Sequence, residues 1–266
     1  IIVVFYTPGD YSITMSLNSP SCGSGVVSQT FSVFGDPVSS AIVNLVTAAS
    51  PGADECVSTV ATFENEIYFT GTSKNADSKG DYNFTIYKGI LSDFKVKDVV
   101  QLQVCNLDFS FTYPTISKDG KTMVVVSNEK GRLHLLEFKR DKNKEWIKGE
   151  VIFISQPEFE ILNPTIYDEN TIYFASNIYE GKVTGVAYGT DDKGEINITQ
   201  VYREQGDFNI YKMVKNNNYW SLPVKVEFFN SEFDDLGVIF IDKKSGYLTS
   251  YRYSDSDNIY YFELKQ

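Results

Sequence analysis

Histidine occurs once in the 266 residues, at His134, so a multi-histidine metal site is excluded and a Ser-His-Asp triad has a single candidate base. Cysteine occurs three times, at Cys22, Cys56 and Cys105, with no Cys-x-x-Cys pair. That excludes a structural zinc knuckle and permits at most one internal disulfide. Long apolar runs are missing as well. The longest, Ile1 to Phe5, is far too short to cross a bilayer, so no membrane span is expected in this chain. Positive charge is in deficit: 24 Lys+Arg face 35 Asp+Glu, a net charge of −11. Such a surface repels phosphate backbones and anionic lipid, and nucleic acid is not an expected partner. No basic segment followed by an apolar stretch stands at the start, and the chain opens on Ile1 rather than methionine. It is read as beginning inside a longer gene product, so missing targeting signals carry no weight.

Helical periodicity is scarce, and two-residue alternation takes its place. Tyr11-Ser12-Ile13-Thr14-Met15-Ser16-Leu17 and Thr30-Phe31-Ser32-Val33 are clear cases. Gly, Asn, Asp and Ser clusters interrupt such runs every roughly 8 to 12 residues, the pattern of an all-β sandwich, barrel or propeller. Tyr (18) and Phe (19) supply much of the apolar volume, as β-strands favour.

Residues 1–36 read as a unit of their own. Pro8-Gly9-Asp10 is a turn, a strand runs to Leu17, and a second strand ends near Phe34. Two strands do not make a stable domain, so these are expected to be the last strands of a sandwich, with Gly35-Asp36-Pro37 as linker. From residue 41 to 266 the chain repeats itself at a period of roughly 50 residues. Tyr113-Pro114-Thr115-Ile116 leads to Val124-Val125-Val126-Ser127-Asn128, and Asn163-Pro164-Thr165-Ile166 leads to Tyr173-Phe174-Ala175-Ser176-Asn177. Ile67-Tyr68-Phe69 and Gly246-Tyr247-Leu248-Thr249-Ser250 are the outer copies. Each copy continues with a third strand (Phe84-Thr85-Ile86-Tyr87, Leu133-His134-Leu135-Leu136, Asp207-Phe208-Asn209-Ile210-Tyr211, Asp257-Asn258-Ile259-Tyr260) and in three cases a fourth (Phe94-Lys95-Val96, Trp146-Ile147-Lys148, Trp220-Ser221-Leu222-Pro223-Val224). Four strands per repeat make one propeller blade, and four blades are recognisable. The third carries an insertion near 182–205, expected to be a β-hairpin. Ala41-Ile42-Val43-Asn44-Leu45 has the character of the fourth strand that the last blade lacks. The aromatics repeated at one place, Tyr68-Phe69, Tyr173-Phe174 and Tyr247, are expected in the core between blades.

The Pro-Thr-Ile-x-x-Asp-Gly run with its following Ser-Asn, at 114–128, resembles the WD40-like repeat of TolB-type β-propellers. The tail, with Asn209-Ile210-Tyr211, Trp220-Ser221, Pro223-Val224, Asn230-Ser231-Glu232-Phe233-Asp234-Asp235, Gly246-Tyr247, Ser250, Arg252 and Asp257 to Phe262, resembles propellers of Bacteroidetes cell-envelope proteins. Such propellers accompany outer-membrane-protein-A-like domains, and some belong to type IX secretion and gliding machinery. Phe5-x-x-Pro8-Gly9-x-Tyr11-x-Ile13, followed by Ser21-Cys22-Gly23-Ser24, resembles the end of a PKD-type immunoglobulin-like module. The resemblance implies a location in the cell envelope, periplasm or cell surface, and a protein partner there. No peptidoglycan-binding segment lies within the chain, and Thr70-Gly71-Thr72 departs from the usual Ser-Asn run.

His134 lies in an alternating strand with no Gly-x-Ser-x-Gly elbow anywhere, so it is read as structural. Asp191-Asp192-Lys193-Gly194-Glu195, Ser254 to Asn258, and Glu232 with Asp234-Asp235 offer oxygens but lack EF-hand spacing; hairpin turns account for them, with a weak Ca²⁺ site as the alternative and no cofactor otherwise. Carboxylates are many and none stands in a distinctive motif, so the chain is expected not to be an enzyme. The aromatics outside the repeat, Tyr219, Trp220, Phe228, Phe229, Tyr251 and Tyr253, are the binding candidates. The function expected is a protein-interaction scaffold. The alternatives are a carbohydrate- or peptide-binding propeller of a secreted protein and, third, a glycan hydrolase propeller.

Overall fold

In a computed structural model of the chain, residues 9–19, 23–33 and 60–264 are described, apart from 74, 81, 93–94, 157–158, 179–180, 191–192, 205 and 254–255. The linker at 35–37, the apolar segment at 41–45, Cys22, Cys56 and most of the acidic runs at 191–192 and 254–255 lie outside them. Every regular element among the described residues is a β-strand. Among the described residues, no helix is long and apolar enough to cross a membrane.

β1 (Gly9–Ser19) and β2 (Gly23–Val33) form an antiparallel pair. β3 (Val60–Phe63), β4 (Glu66–Thr72), β5 (Phe84–Ser92) and β6 (Lys95–Gln101) form a four-stranded antiparallel sheet in chain order, the first sheet of the main body. The second repeats it with β7 (Phe111–Ile116), β8 (Thr122–Ser127), β9 (His134–Arg140) and β10 (Trp146–Ile154). The third begins with β11 (Ile161–Asp168) and β12 (Thr171–Ser176). The chain then leaves as a separate hairpin, β13 (Val183–Thr190) with β14 (Ile196–Arg203), and returns to pair β15 (Asn209–Asn216) with β12. β16 (Tyr219–Trp220) and β17 (Val224–Lys225) both pair with β15. The sequence reads 220–224 as one strand. The structure divides it around Pro223, which has no N–H to give a ladder. A last sheet has three strands, β18 (Asp235–Phe240), β19 (Ser245–Ser250) and β20 (Asn258–Glu263).

The second strands explain why these sheets stack. β8 and β12 are buried on both sides, so their apolar residues run on without alternation. Met123 and Val125 face one way, into a core with Tyr68, Ile86, Leu136 and Phe138. Val124 and Val126 face the other, with Leu135, Ile172, Phe174 and Tyr211. Tyr173, Ala175 and Ile210 of the third sheet then pack on Phe229, Val238, Leu248 and Phe262. The first strands β3, β7, β11 and β18 contact one another in succession. Sheets stacked face to face with their first strands gathered together are a β-propeller.

Two local devices recur. Tyr113 (φ +54°) and Asn163 (φ +46°), each just before a proline, sit in the left-handed region beside a break in register. Pro114 and Pro164 lack an N–H, so the ladder bulges there instead of continuing. The bulges reach across to neighbouring sheets: the Tyr113 amide donates to Thr70 Oγ1 at 3.0 Å, and Asn163 Nδ2 donates to the Leu236 carbonyl at 2.8 Å. At the far end of each second strand a serine hydroxyl accepts the amide two residues on. Ser73, Ser127, Ser176 and Ser250 do so for Asn75, Glu129, Ile178 and Arg252. Asn128 and Asn177 add a side-chain oxygen that accepts the amides of Ser110 and Glu160, both at 2.9 Å, closing the entry to the first strand.

In the last sheet an arginine takes over this closure. Arg252 Nε donates to Ser250 Oγ at 3.0 Å and Nη2 to Asp235 Oδ1 at 2.6 Å, with a further bond to the Phe229 carbonyl. Asp235 is fully buried. Arg252→Met is expected to cost about 3–5 kcal/mol in urea denaturation, because it strands a buried carboxylate, and adding Asp235→Asn should recover much of the loss. A cost under about 1 kcal/mol would show that the pair is not a structural node.

Candidate functional site

Three hairpin turns gather near one another, and each is built on an aspartate that accepts an amide two residues on. Asp119 accepts from Lys121 (3.1 Å), Asp168 from Asn170 (2.9 Å) and Asp242 from Lys244 (2.7 Å). The Ser117 hydroxyl and the Lys121 amide hold the Asp119 carboxyl below its usual range. This turn chemistry fixes the backbone and leaves the intervening side chains at the surface. Gly120 (φ +69°) lies against the Phe63 ring of the first sheet, closer than any Cβ would permit.

Between the second and third sheets these turns border a cleft of about 710 Å³. Thr122, Val124, Glu137 and Lys139 form one wall, and Ile166, Asp168, Glu169 and Ile172 the other. Lys118, Lys121 and Lys243 stand at the turns, and Trp220 lines it from β16. Five cations and four carboxylates therefore share one cleft in a chain of net charge −11. Lys139 pairs with Glu137 at 2.6 Å and Lys121 with Asp119 at 3.5 Å, whereas Lys118 and Lys243 make no ion pair among the described residues. Trp220 is half-buried; its Nε1 donates to Glu150 Oε1 at 3.3 Å, and the Lys215 ammonium lies 5.5 Å from its ring centre. The hydrogen bond from Lys215 holds the Glu150 carboxyl below its ordinary 4.5, with a smaller contribution from Trp220.

Arg140 joins the cleft to the core between the first and second sheets. Its guanidinium lies 4.5 Å from the Trp146 ring centre and 5.5 Å from that of Phe63. It donates to Glu66 Oε2 at 2.6 Å and to the Tyr68 hydroxyl at 2.5 Å, while Trp146 Nε1 donates to the same hydroxyl at 3.2 Å. Burial alone would raise the Glu66 carboxyl, but hydrogen bonds from Lys88, Arg140 and Tyr68 outweigh it and the group sits below 4.5. Burial pushes the Tyr68 hydroxyl up to about 12. Nothing in the sequence ties Arg140 to Glu66, 74 residues away.

The aromatics proposed from sequence are spread over three separate elements. Tyr219 is 80% exposed beside Trp220 on β16, and of the six only Trp220 lines the cleft. Phe228 is exposed in the loop after β17, but Phe229 is 2% exposed and packs edge-on to Phe262 and Tyr173. Phe229 is core and is withdrawn as a binding residue: its ring is enclosed by Tyr173, Phe240 and Phe262, with Phe228 lying over it at 5.1 Å. Tyr251 is half-buried, and Tyr253 is 90% exposed with its ring 6.2 Å from Tyr260. Tyr247, expected in the core, is 46% exposed, because its face of the last sheet has no sheet against it among the described residues. Asp234 and Asp235 are engaged with the Phe208 amide, Ser231 and Arg252. No group of three or more His, Cys, Asp or Glu suited to a metal occurs among the described residues. Cys105 is buried and unpaired, and burial pushes its thiol up to about 12.

His134 is fully buried. Nδ1 lies 3.0 Å from the Arg132 carbonyl, which assigns the proton to that nitrogen and leaves Nε2 without a partner among the described residues.

No protein-family model matches the chain, and no curated protein matches it. Solved structures are similar to it at low identity. A puromycin-hydrolyzing peptidase of Mycobacterium tuberculosis is 9% identical with a TM-score of 0.40, over 85% of this chain and 39% of that one. A mannose phosphorylase of Leishmania mexicana is 10% identical, TM-score 0.41, over 97% and 82%. TolB of Acinetobacter baumannii is 12% identical, TM-score 0.33, over 96% and 64%. The chain spans about two fifths of the length of the peptidases it matches. Peptidases, a mannose phosphorylase and glycoside hydrolases are among these similar structures, so the expectation that the chain is not an enzyme does not stand. The fold also does what the sequence does not reveal: it brings Glu137 and Asp168, from different sheets, into one cleft. Likenesses this distant pass no particular reaction to this chain.

Two outcomes test the site. Arg140→Met should cost about 3 kcal/mol near neutral pH by leaving Glu66 unpaired. Because Glu66 is lowered in the fold, its contribution is present above pH 4.5 and is lost as pH falls through the folded value. The gap between the two proteins should therefore narrow in acid. For His134, burial lowers the ring below its ordinary 6.5 despite the opposing bond to Arg132. The unfolded chain then binds the proton better, so wild-type stability falls as pH drops below 6.5. His134→Gln should flatten that part of the curve, and an unchanged slope would contradict the neutral buried ring.

Proposed function

We propose that the chain is the interaction propeller of a bacterial cell-envelope or surface protein, and that the cleft between its second and third sheets receives an extended acidic segment of a protein partner. The observation that carries this reading is the clustering of Lys118, Lys121 and Lys243 at the turns bordering the cleft, with Trp220 along it, in a chain whose net charge is −11. Lysines beside an indole, two of them (Lys118 and Lys243) without an ion pair among the described residues, suit a chain that offers carboxylates and apolar groups in alternation. The envelope setting is supported by the sequence likeness at 114–128 and 209–262, with residues 1–36 as the end of an immunoglobulin-like module. A second reading is favoured by Glu137 and Asp168 sharing the cleft with Trp220: two acids and an aromatic platform also suit a glycan and its hydrolysis.

Tryptophan emission separates the two. Trp146 is 8% exposed and Trp220 lines the cleft, and they are the only tryptophans. Titration with Glu/Asp-rich peptides should shift Trp220 emission, with affinity falling as salt rises. Trp220→Phe should silence the signal, and Lys118→Ala with Lys243→Ala should weaken binding by about tenfold. A response to neutral oligosaccharides with release of new reducing ends, and none to acidic peptides, would replace the first reading with the second.

A further inference from the structure

The cleft between the second and third sheets differs in chemistry between its mouth and its floor. Lys118, Lys121 and Lys243 stand exposed on the hairpin turns, at the mouth. Val124 and Ile172 are buried and form the floor, with Ile166 half-buried beside them. One charged group lies among these apolar side chains. Glu137 of β9 is the cross-strand neighbour of Val124, and its side chain is 8% exposed.

The Glu137 carboxylate is only half engaged. Oε1 pairs with Lys139 at 2.6 Å; that lysine stands half in water and also donates to the Thr122 hydroxyl at 3.0 Å. Oε2 makes no hydrogen bond or ion pair among the described residues. It lies over Gly149 of β10, where a Cβ would come within 3.0 Å of it and 2.9 Å of the Glu137 carbonyl oxygen. β10 bulges at this point, its register against β9 shifting between Lys148 and Val151. Bulges re-aim the groups around them, and here the missing side chain leaves the room that the carboxylate occupies. The same bulge carries Glu150, which accepts the Trp220 indole N–H. A carboxylate has lone pairs for several donors, and a buried one with a single partner is costly to keep.

We infer that the cleft contains a pocket for one long cationic side chain, lysine or arginine, of the segment it receives, with Glu137 Oε2 as the acceptor. This rests on the acidic-segment reading and adds to it: the partner offers carboxylates to the lysines at the mouth and a single cation to the floor. Lysine and arginine carry their charge at the end of an aliphatic stem, which buries against apolar surface while the head finds a polar partner. Val124, Ile166 and Ile172 match the stem, and Glu137 matches the head. Lys139, half in water, yields its share of the carboxylate at little cost.

Calorimetric titration of the full chain with Glu/Asp-rich peptides that differ in one central residue tests this. The lysine or arginine peptide should bind about tenfold more tightly than its norleucine counterpart. Attraction to the mouth lysines alone predicts the reverse order, since norleucine leaves the peptide more acidic. In Glu137→Gln, nearly isosteric and checked for folding by circular dichroism, the norleucine peptide should bind at least as tightly as the cationic ones. The net charge of the chain hardly changes in that variant, so loss of the preference there assigns it to this carboxylate. Gly149→Ala, which sets a methyl group against Glu137, should shrink the preference as well. Equal binding of the whole series by the wild type, or a preference for norleucine, overturns the inference and leaves the acidic-segment reading standing. A cation preference that survives Glu137→Gln overturns it too. No binding by any acidic peptide overturns both.

Discussion

The second strand of each sheet is apolar on both sides, and the rest of the architecture follows from covering both. A strand such as Thr122–Ser127 cannot sit at a surface. One sheet over it leaves half its side chains in water, at a cost of about 25 cal/mol per Å². Stacking is the solution, and stacking makes every interior sheet at once a lid for one neighbour and a floor for the other. The hydrogen-bonding devices serve this requirement. The serine at the end of each second strand and the left-handed residue before Pro114 and Pro164 set the chain's entry and exit, so that the next sheet arrives at the proper offset.

Polar chemistry is confined to places where stacking leaves room for it. Between the first and second sheets Arg140 lies over the Phe63 and Trp146 rings and is neutralised by Glu66, so a charge is buried with its hydrogen bonds largely met. Between the second and third the layers separate toward the turns and leave a cleft in which lysines and carboxylates meet. The two interfaces share Arg140, which closes one and lines the other.

Much of the scaffold was legible from sequence because it is written locally. Alternation, the residue before each proline and the Ser-Asn ends are short motifs that recur from one repeat to the next, and the all-β propeller class follows from them. Pro223 is the local signal that the strand after β15 is split. The site was far less legible. Trp220 was picked out as an aromatic outside the repeat, but Lys118, Glu137, Asp168 and Lys243 look like ordinary turn and strand residues until stacking brings them together. Phe229 and Tyr247 show the same limit in reverse. Whether an aromatic is buried depends on the sheet opposite, and adjacent residues carry no record of which sheet that is.

The hairpin that interrupts the third sheet is pinched at its root. The Glu204 amide bonds to the Lys182 carbonyl at 2.9 Å, and Gly181 (φ +79°) lies so close to the Glu204 carbonyl that a side chain there would overlap it. β12 must still find β15 across this excursion, the longest connection between paired strands in the main body. A disordered loop of that length would slow the meeting, since closure entropy grows with the residues enclosed. A hairpin zipped at its base behaves as a much shorter loop: the pairing of β12 with β15 feels only the few residues outside the stem. The excursion is thereby uncoupled from assembly of the sheet, and its outer strands and tip are free to diverge, lengthen or be exchanged while the order in which the sheet forms stays the same.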